Sequence, residues 1–197
     1  MNLVDRVKRI LLSPRTEWEV IDPEQTTPAA LYTGYVAPLA AIGPIAQLIG
    51  HTVFGIPVPF VGTIKVPFGS ALTGAVIGYV LTLVGTYVLA LIIDALAPTF
   101  DGQRNQIQAL KVAAYSSTAA WVAGIFALIP WLGVLGILGL YSLYLLYLGL
   151  PVLMKAAREK ALPYTAVVIL AAIVLFMVIG MIVGRFTGIP HAGTTMP

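Results

Sequence analysis

Four stretches of this chain contain no Asp, Glu, Lys or Arg: Gln25 to Ile64, Val66 to Ile93, Val112 to Met154, and Ala161 to Gly184. Each exceeds the roughly 20 residues that a helix needs to cross a bilayer. Hydrocarbon offers backbone groups no water, so a crossing segment must be a helix or part of a closed barrel. A barrel would show short segments of alternating polarity, and none occurs. The chain therefore folds as an all-α, polytopic membrane bundle. Composition supports this: 59% of the 197 residues are hydrophobic and 10% are charged, whereas a soluble domain carries about 25% charged residues. There is no Cys, which excludes a disulfide framework and a thiolate metal site. The net charge of +3 comes without a basic cluster interleaved with exposed aromatics, so nucleic acid is not an expected partner.

The polar residues concentrate in a head, residues 1–28. In "LVDRVKRILL", Leu3, Val7, Ile10 and Leu11 share one helical face, while Asp5, Arg6, Lys8 and Arg9 lie elsewhere. That is the pattern of an amphipathic interfacial helix. Ser13-Pro14 then reads as an N-cap and first helical position, with Glu17 in the first turn, so "SPRTEWEVID" starts a second short helix. Trp18 is expected at headgroup level. No apolar core followed by a small-residue cleavage site occurs in the head, so it is expected to stay on the mature protein.

Five spans follow in a transmembrane domain of residues 29–184, with a short tail, 185–197. The first runs from about Ala29 to Ile49 and holds Pro38 and Pro44, which should kink it. The second runs from about Gly69 to Ala97. The third runs from about Val112 to Ile129, where "IPWLG" turns the chain into a fourth span ending near Leu153. The fifth runs from about Tyr164 to Gly184. Residues 52–68 are apolar but hold three prolines, which fits a hairpin or a dipping loop. With the N-terminus inside, Arg6, Lys8, Arg9, Arg15, Arg104, Lys111, Lys155, Arg158 and Lys160 lie on one side, and only Lys65 and Arg185 on the other. The positive-inside rule then places the N-terminus in the cytoplasm and the C-terminus outside.

Two ladders of small residues stand out. Ser70, Gly74, Gly78, Thr82, Thr86, Ala90 and Asp94 fall every fourth residue, a spacing that lets helices approach closely. Gly133, Gly136, Gly139 and Ser142 fall every third. Packing within the monomer, with the two ladders set against each other, is the structural reading; a homo-oligomer seam or a polar path is the functional one. Asp94 is the acidic residue placed within a span, which makes it a functional candidate. It either reaches water, pairs with Arg104 or Lys111, or handles protons or ions. Tyr141, Tyr144 and Tyr147 form a stripe whose hydroxyls need partners. Ser142, Tyr115, Ser116, Ser117 and Thr118 could supply them, fastening this span to the third; a ligand site is the other reading.

Catalytic patterns are absent. His51 and His191 have no local ligand spacing, and there is no HExxH, GxSxG or Walker A loop. No metal, no cofactor and no enzymatic activity are expected.

The chain also resembles a known family. "SPRTEWEVI" precedes an Ala/Gly-rich first span, and "ALKVAAYSSTAAWVAGIFALIPWLGVLGILGLYSLYLLYLGLPVLMK" leads to a last span. This is similar to the Yip family, membrane proteins named for interaction with Ypt/Rab GTPases, and in particular to its bacterial branch. The resemblance implies a five-span bundle in the inner (plasma) membrane, a cytoplasmic N-terminus and a non-catalytic role. The head is shorter than in eukaryotic relatives and lacks their acidic DLYGP-type motif. The expected function is a membrane-organising or partner-binding scaffold, with the lipid bilayer and a protein bound through residues 1–28 as partners. The alternative is a small transporter or channel using Asp94.

Overall fold

The computed structural model describes residues 2–58 and 62–187. The head forms two helices, α1 (Leu3–Leu12) and α2 (Pro14–Ile21), joined by Ser13 alone. The Asn2 side chain accepts the Val4 N–H at 3.2 Å and caps α1. Pro14 opens α2, where its missing N–H costs nothing. The apolar stripe of α1 faces the bundle: Ile10 is fully buried, and Leu3, Val7 and Leu11 pack against the core.

The first long helix, Pro28–Phe54, starts at Thr27, whose hydroxyl oxygen accepts the Ala30 N–H at 3.2 Å. Its disruption takes a specific form. α-Helical turns alternate with π-helical turns at Tyr32–Val36 and Gly50–Phe54. The Ala37 N–H reaches back to the Tyr32 carbonyl, a wider turn placed just before Pro38, which has no N–H to continue the ordinary ladder. After it, β1 (Ile56–Val58) pairs antiparallel with β2 (Gly62–Ile64), Ile56 opposite Ile64. The apolar Pro-rich loop is thus a hairpin. Gly55 enters it with φ +79°, and a Cβ there would stand 2.6 Å from the Thr63 methyl.

The second helix, Phe68–Phe100, ends in a tighter turn at Ala97–Phe100. The third is broken. It comprises Gln106–Ser116, a turn at Ser117, then Thr118–Ala123 and a 3₁₀ stretch, Gly124–Leu128. It is also the most enclosed, with every residue from Ala109 to Ser116 buried. The fourth helix, Pro130–Leu153, opens with a 3₁₀ run, Pro130–Leu140. In a 3₁₀ helix residues i and i+3 eclipse, so Gly133, Gly136 and Gly139 stand in one line. The fifth helix is Arg158–Arg185.

Four of these helices, the first, second, fourth and fifth, are long and apolar enough to cross a membrane. Their outer faces agree: Leu170, Val174, Met177 and Met181 of the fifth are each more than 60% exposed to the surroundings. Such a surface is at home only in lipid. The chain is a helical membrane protein.

Bonds show which ends meet. The Gln103 N–H donates to the Met154 carbonyl at 2.7 Å, Lys160 pairs with Asp101 at 2.5 Å, and Lys155 pairs with Asp22 at 2.5 Å. The two inter-helix loops therefore gather at the end that carries the head. The most buried large side chains also lie there: Trp18, Ile93, Leu110, Leu150 and Tyr164. Toward the hairpin end, the first and third helices approach backbone to backbone. A Cβ on Gly124 would lie 2.9 Å from the Gly43 Cα. This glycine seam was not expected from the sequence.

Candidate functional site

The head docks through charges that are taken out of water. Arg6 is 6% exposed and Glu17 is 3% exposed. The Arg6 guanidinium donates to the Glu17 carboxylate at 2.6 Å and to that of Glu24. Its Cζ sits 5.5 Å above the Tyr115 ring, a cation–π arrangement. Burial works against the Arg6 charge, but the Glu24 hydrogen bond and the surrounding negative charges outweigh it, and its pKa rises. Tyr115 in turn meets the edges of Trp18 at 6.2 Å and Tyr35 at 4.6 Å, and the Tyr35 hydroxyl hydrogen-bonds Thr118 Oγ1 at 2.7 Å. Trp18 was expected among lipid headgroups. It is instead fully buried, lying so close to the fourth helix that a Cβ on Gly149 would stand 2.7 Å from the ring.

Lys111 completes the junction from the third helix. Its ammonium donates to the carbonyls of Ile21 at 2.9 Å, Asp22 at 3.3 Å and Glu24 at 2.6 Å. These oxygens lie at and just past the end of α2, where a helix leaves carbonyls unpaired. Burial lowers the Lys111 pKa, partly opposed by Glu24 and Asp22. Gln108 adds its amide N–H to the Asp22 carbonyl at 2.9 Å.

Of the residues singled out from the sequence, Lys111 and Tyr115 are therefore brought together against the head. The tyrosine stripe is not where the sequence suggested. Tyr141, Tyr144 and Tyr147 are each more than a third exposed, and none bonds the third helix. The Tyr141 hydroxyl donates to the Leu11 carbonyl of the head at 3.1 Å, and its ring lies 5.5 Å from Tyr144. The tie to the third helix is Ser142, whose hydroxyl oxygen accepts the Ala120 N–H at 3.0 Å. Asp94 pairs with neither Arg104 nor Lys111. One of its carboxylate oxygens is buried without a partner, and beside it the Tyr164 hydroxyl donates to the Ile93 carbonyl at 2.5 Å.

The ladders also part company. On the second helix Gly78 and Gly85 face the fifth helix, where Cβ atoms would meet Val183 at 3.8 Å and Ile179 at 2.9 Å. On the fourth helix a Cβ on Gly139 would meet the Ala120 backbone at 3.2 Å, while Gly133 and Gly136 face open space. So the two ladders pack against different helices, not against each other. Gly74, Gly78, Thr82 and Thr86 also line a cavity of about 620 Å³ between all five helical segments. Gln47, His51, Ser116, Ser117 and Ser142 share its wall; Ser70 and Asp94 do not. Among the described residues no group of three or more His, Cys, Asp or Glu could hold a metal ion. His191 lies outside the described residues.

A family model of the Yip1 domain matches residues 8–179. The chain belongs to the Yip1 domain family. Among curated proteins it is similar to the inner membrane protein YohC of Escherichia coli K12, 27% identical over 157 residues, covering 78% of this chain and 80% of that protein. YohC of Escherichia coli O6:H1 matches to the same extent. No solved structure is a significant match. The matched region of the Yip1 domain takes in Glu17, Trp18, Lys111 and Tyr115 but starts two residues after Arg6. Arg6 could have been found from the sequence: it falls three residues after Leu3 and four before Ile10, inside the apolar stripe of α1. A guanidinium there has to be paired when the stripe is buried. Glu17 gave no comparable signal, because a first-turn carboxylate is explained by the helix dipole alone.

Proposed function

We propose that the chain is a non-catalytic scaffold of the inner membrane, crossing it five times with its head on the cytoplasmic face and its C-terminus outside. The inner membrane is taken from the Escherichia coli relatives, which are named for it. Nine of the eleven Lys and Arg residues lie in the head, in the two loops beside it or in the helix ends that flank those loops, which supports the orientation. The fifth crossing is the broken third helix. Residues 112–128 rise about 28 Å as α-helix followed by 3₁₀ helix, close to the ~30 Å hydrocarbon thickness. The amphipathic head then lies at the interface with its inner half spent on the bundle.

The observation that carries this reading is the form of the head. It is a folded cap, and its outer face presents Lys8, Arg9, Leu12, Arg15 and Val20, all exposed. A preformed surface suits a partner without costing the order of a floppy tail. Removing the head would also unpack the core, so the informative variant changes only the outer face. Lys8→Glu, Leu12→Ser and Arg15→Glu together should lower recovery of cross-linked partners from native membranes while thermal stability stays unchanged. Undiminished recovery would sink the scaffold reading.

A second reading, a small transporter or channel using Asp94, draws on its buried, unpartnered carboxylate oxygen. Proton or ion flux in proteoliposomes that falls in Asp94→Asn would move the assignment to it.

A further inference from the structure

The cavity between the helices is the feature that the scaffold role leaves unused. Along its wall the second helix runs from Ala71 to Leu89, a rise of about 27 Å. It reaches Val66 and His51 at the hairpin end and stops at Leu89, Ser116 and Leu146. Beyond that floor the packed rings of Tyr35, Tyr115 and Trp18 seal the head end.

Two kinds of observation say that the space is not merely a packing defect. First, Gln47 and His51 sit one turn apart on the same face of the first helix, and both line the cavity. Among the described residues neither the Gln47 amide nor the His51 ring has a hydrogen-bond partner; Gln47 is exposed and His51 half-buried, so both are open to whatever fills the cavity. In hydrocarbon such groups are costly unless something satisfies them. Second, the wall is built from interrupted helices. Pro44 leaves the Ala40 carbonyl without its usual donor, and both residues line the cavity. Opposite them the third helix breaks at Ser117, whose hydroxyl donates back to the Ala113 carbonyl at 2.7 Å. Irregular backbone at membrane depth is tolerated where it is enclosed by protein or lines a wet cavity, and transport proteins bind solutes at such interruptions.

We infer that this cavity is a ligand site, entered from the hairpin end, for a small uncharged amphipathic molecule with hydrogen-bonding groups. Its volume lies in the usual range for ligand pockets, and an apolar wall with few polar groups is their usual chemistry. No Asp, Glu, Lys or Arg lines it, so an ion would have no countercharge. Asp94 lies beyond its floor.

The native chain has no cysteine, so single cysteines report alone. In the full chain in proteoliposomes, Gln47→Cys and Thr82→Cys should react with a membrane-impermeant methanethiosulfonate at least about tenfold faster than Val76→Cys and Val80→Cys, because the thiolate needs water. Val76 and Val80 are exposed positions away from the cavity. Reagent on both sides makes the outcome independent of orientation. Equal rates at all four positions would overturn a wet cavity. 1-Octanol, octanoate and octylammonium share one tail and differ in head charge. Octanol should slow modification of Thr82→Cys, the two ions should not, and adding Gln47→Leu should remove the protection. Protection by all three alike, or by none, would overturn the ligand class. Because the head surface is untouched, loss of partner recovery and loss of this site are separate results.

Discussion

At the head end, Arg6, Glu17 and Lys111 are buried with ionic or carbonyl partners within hydrogen-bonding distance. Toward the hairpin, Gln47 and His51 line the cavity with no such partner among the described residues. Both ends hold polar groups in an apolar protein, yet at one they are buried, while at the other Gln47 is exposed and His51 half-buried beside a cavity. The difference lies in what covers them. The head folds back over the first end and brings its own counter-groups, whereas among the described residues the cavity wall is built mostly of small and apolar side chains, with Ser116, Ser117 and Ser142 among them. A chain with few charges can afford a tight polar junction at one place, and it places that junction where the head meets the two inter-helix loops.

If the junction holds the bundle together, opening it should have the largest effect. Trp18→Ala removes a fully buried indole and should cost about 3–5 kcal/mol. In a protein of this size that lowers Tm by roughly 10 °C, measurable by size-exclusion after heating in detergent. Gly149→Val attacks the same contact from the other side, where its Cβ would overlap the ring. A Tm unchanged in both would mean that the head is not part of the core.

Removing one charge tests the ion cluster. Arg6→Met leaves Glu17 buried and unpaired, at a cost of about 3–5 kcal/mol. The double variant Arg6→Met, Glu17→Met should be more stable than Arg6→Met alone, because no orphaned charge remains. Additive losses would show that Glu17 reaches water. Lys111→Met is expected to cost less, about 1–3 kcal/mol, the usual penalty for stranding buried acceptors.

The sequence made the lipid-crossing architecture legible because charge-free length is a strong constraint; the prolines of residues 52–68 excluded a spanning helix there but left a hairpin and a dipping loop open, and the strand pairing decides for the hairpin. It named Lys111 as a partner for Asp94 and Tyr115 as a partner for the tyrosine stripe, and the structure gives both of them to the head instead. It did not lead to their partners. Arg6 and Lys111 lie far apart in the chain, and nothing local says that α1 turns its stripe inward to protein instead of outward to lipid. Both solvents ask for the same apolar pattern. The three-residue glycine spacing was seen but assigned to an α-helix; in the 3₁₀ run of Pro130–Leu140 it becomes a straight line. The break at Ser117 was hidden because "YSSTAA" has no proline or glycine. Its hydroxyls, bonded to the chain's own carbonyls, are what let the helix interrupt.

The smallest expected effects separate two polar side chains on the cavity wall. Ser142→Ala deletes the acceptor of the Ala120 N–H and should cost about 1 kcal/mol, a typical hydrogen bond. Gln47→Leu deletes a group with no hydrogen-bond partner among the described residues, so in detergent the stability should stay within about 0.5 kcal/mol of that of the native protein, or rise. Tyr144→Phe and Tyr147→Phe belong with Gln47, since both rings are over a third exposed and neither hydroxyl bonds the third helix. If Gln47→Leu were instead as damaging as Ser142→Ala, the amide would have a structural partner, and the hollow end would differ from the head end in degree only.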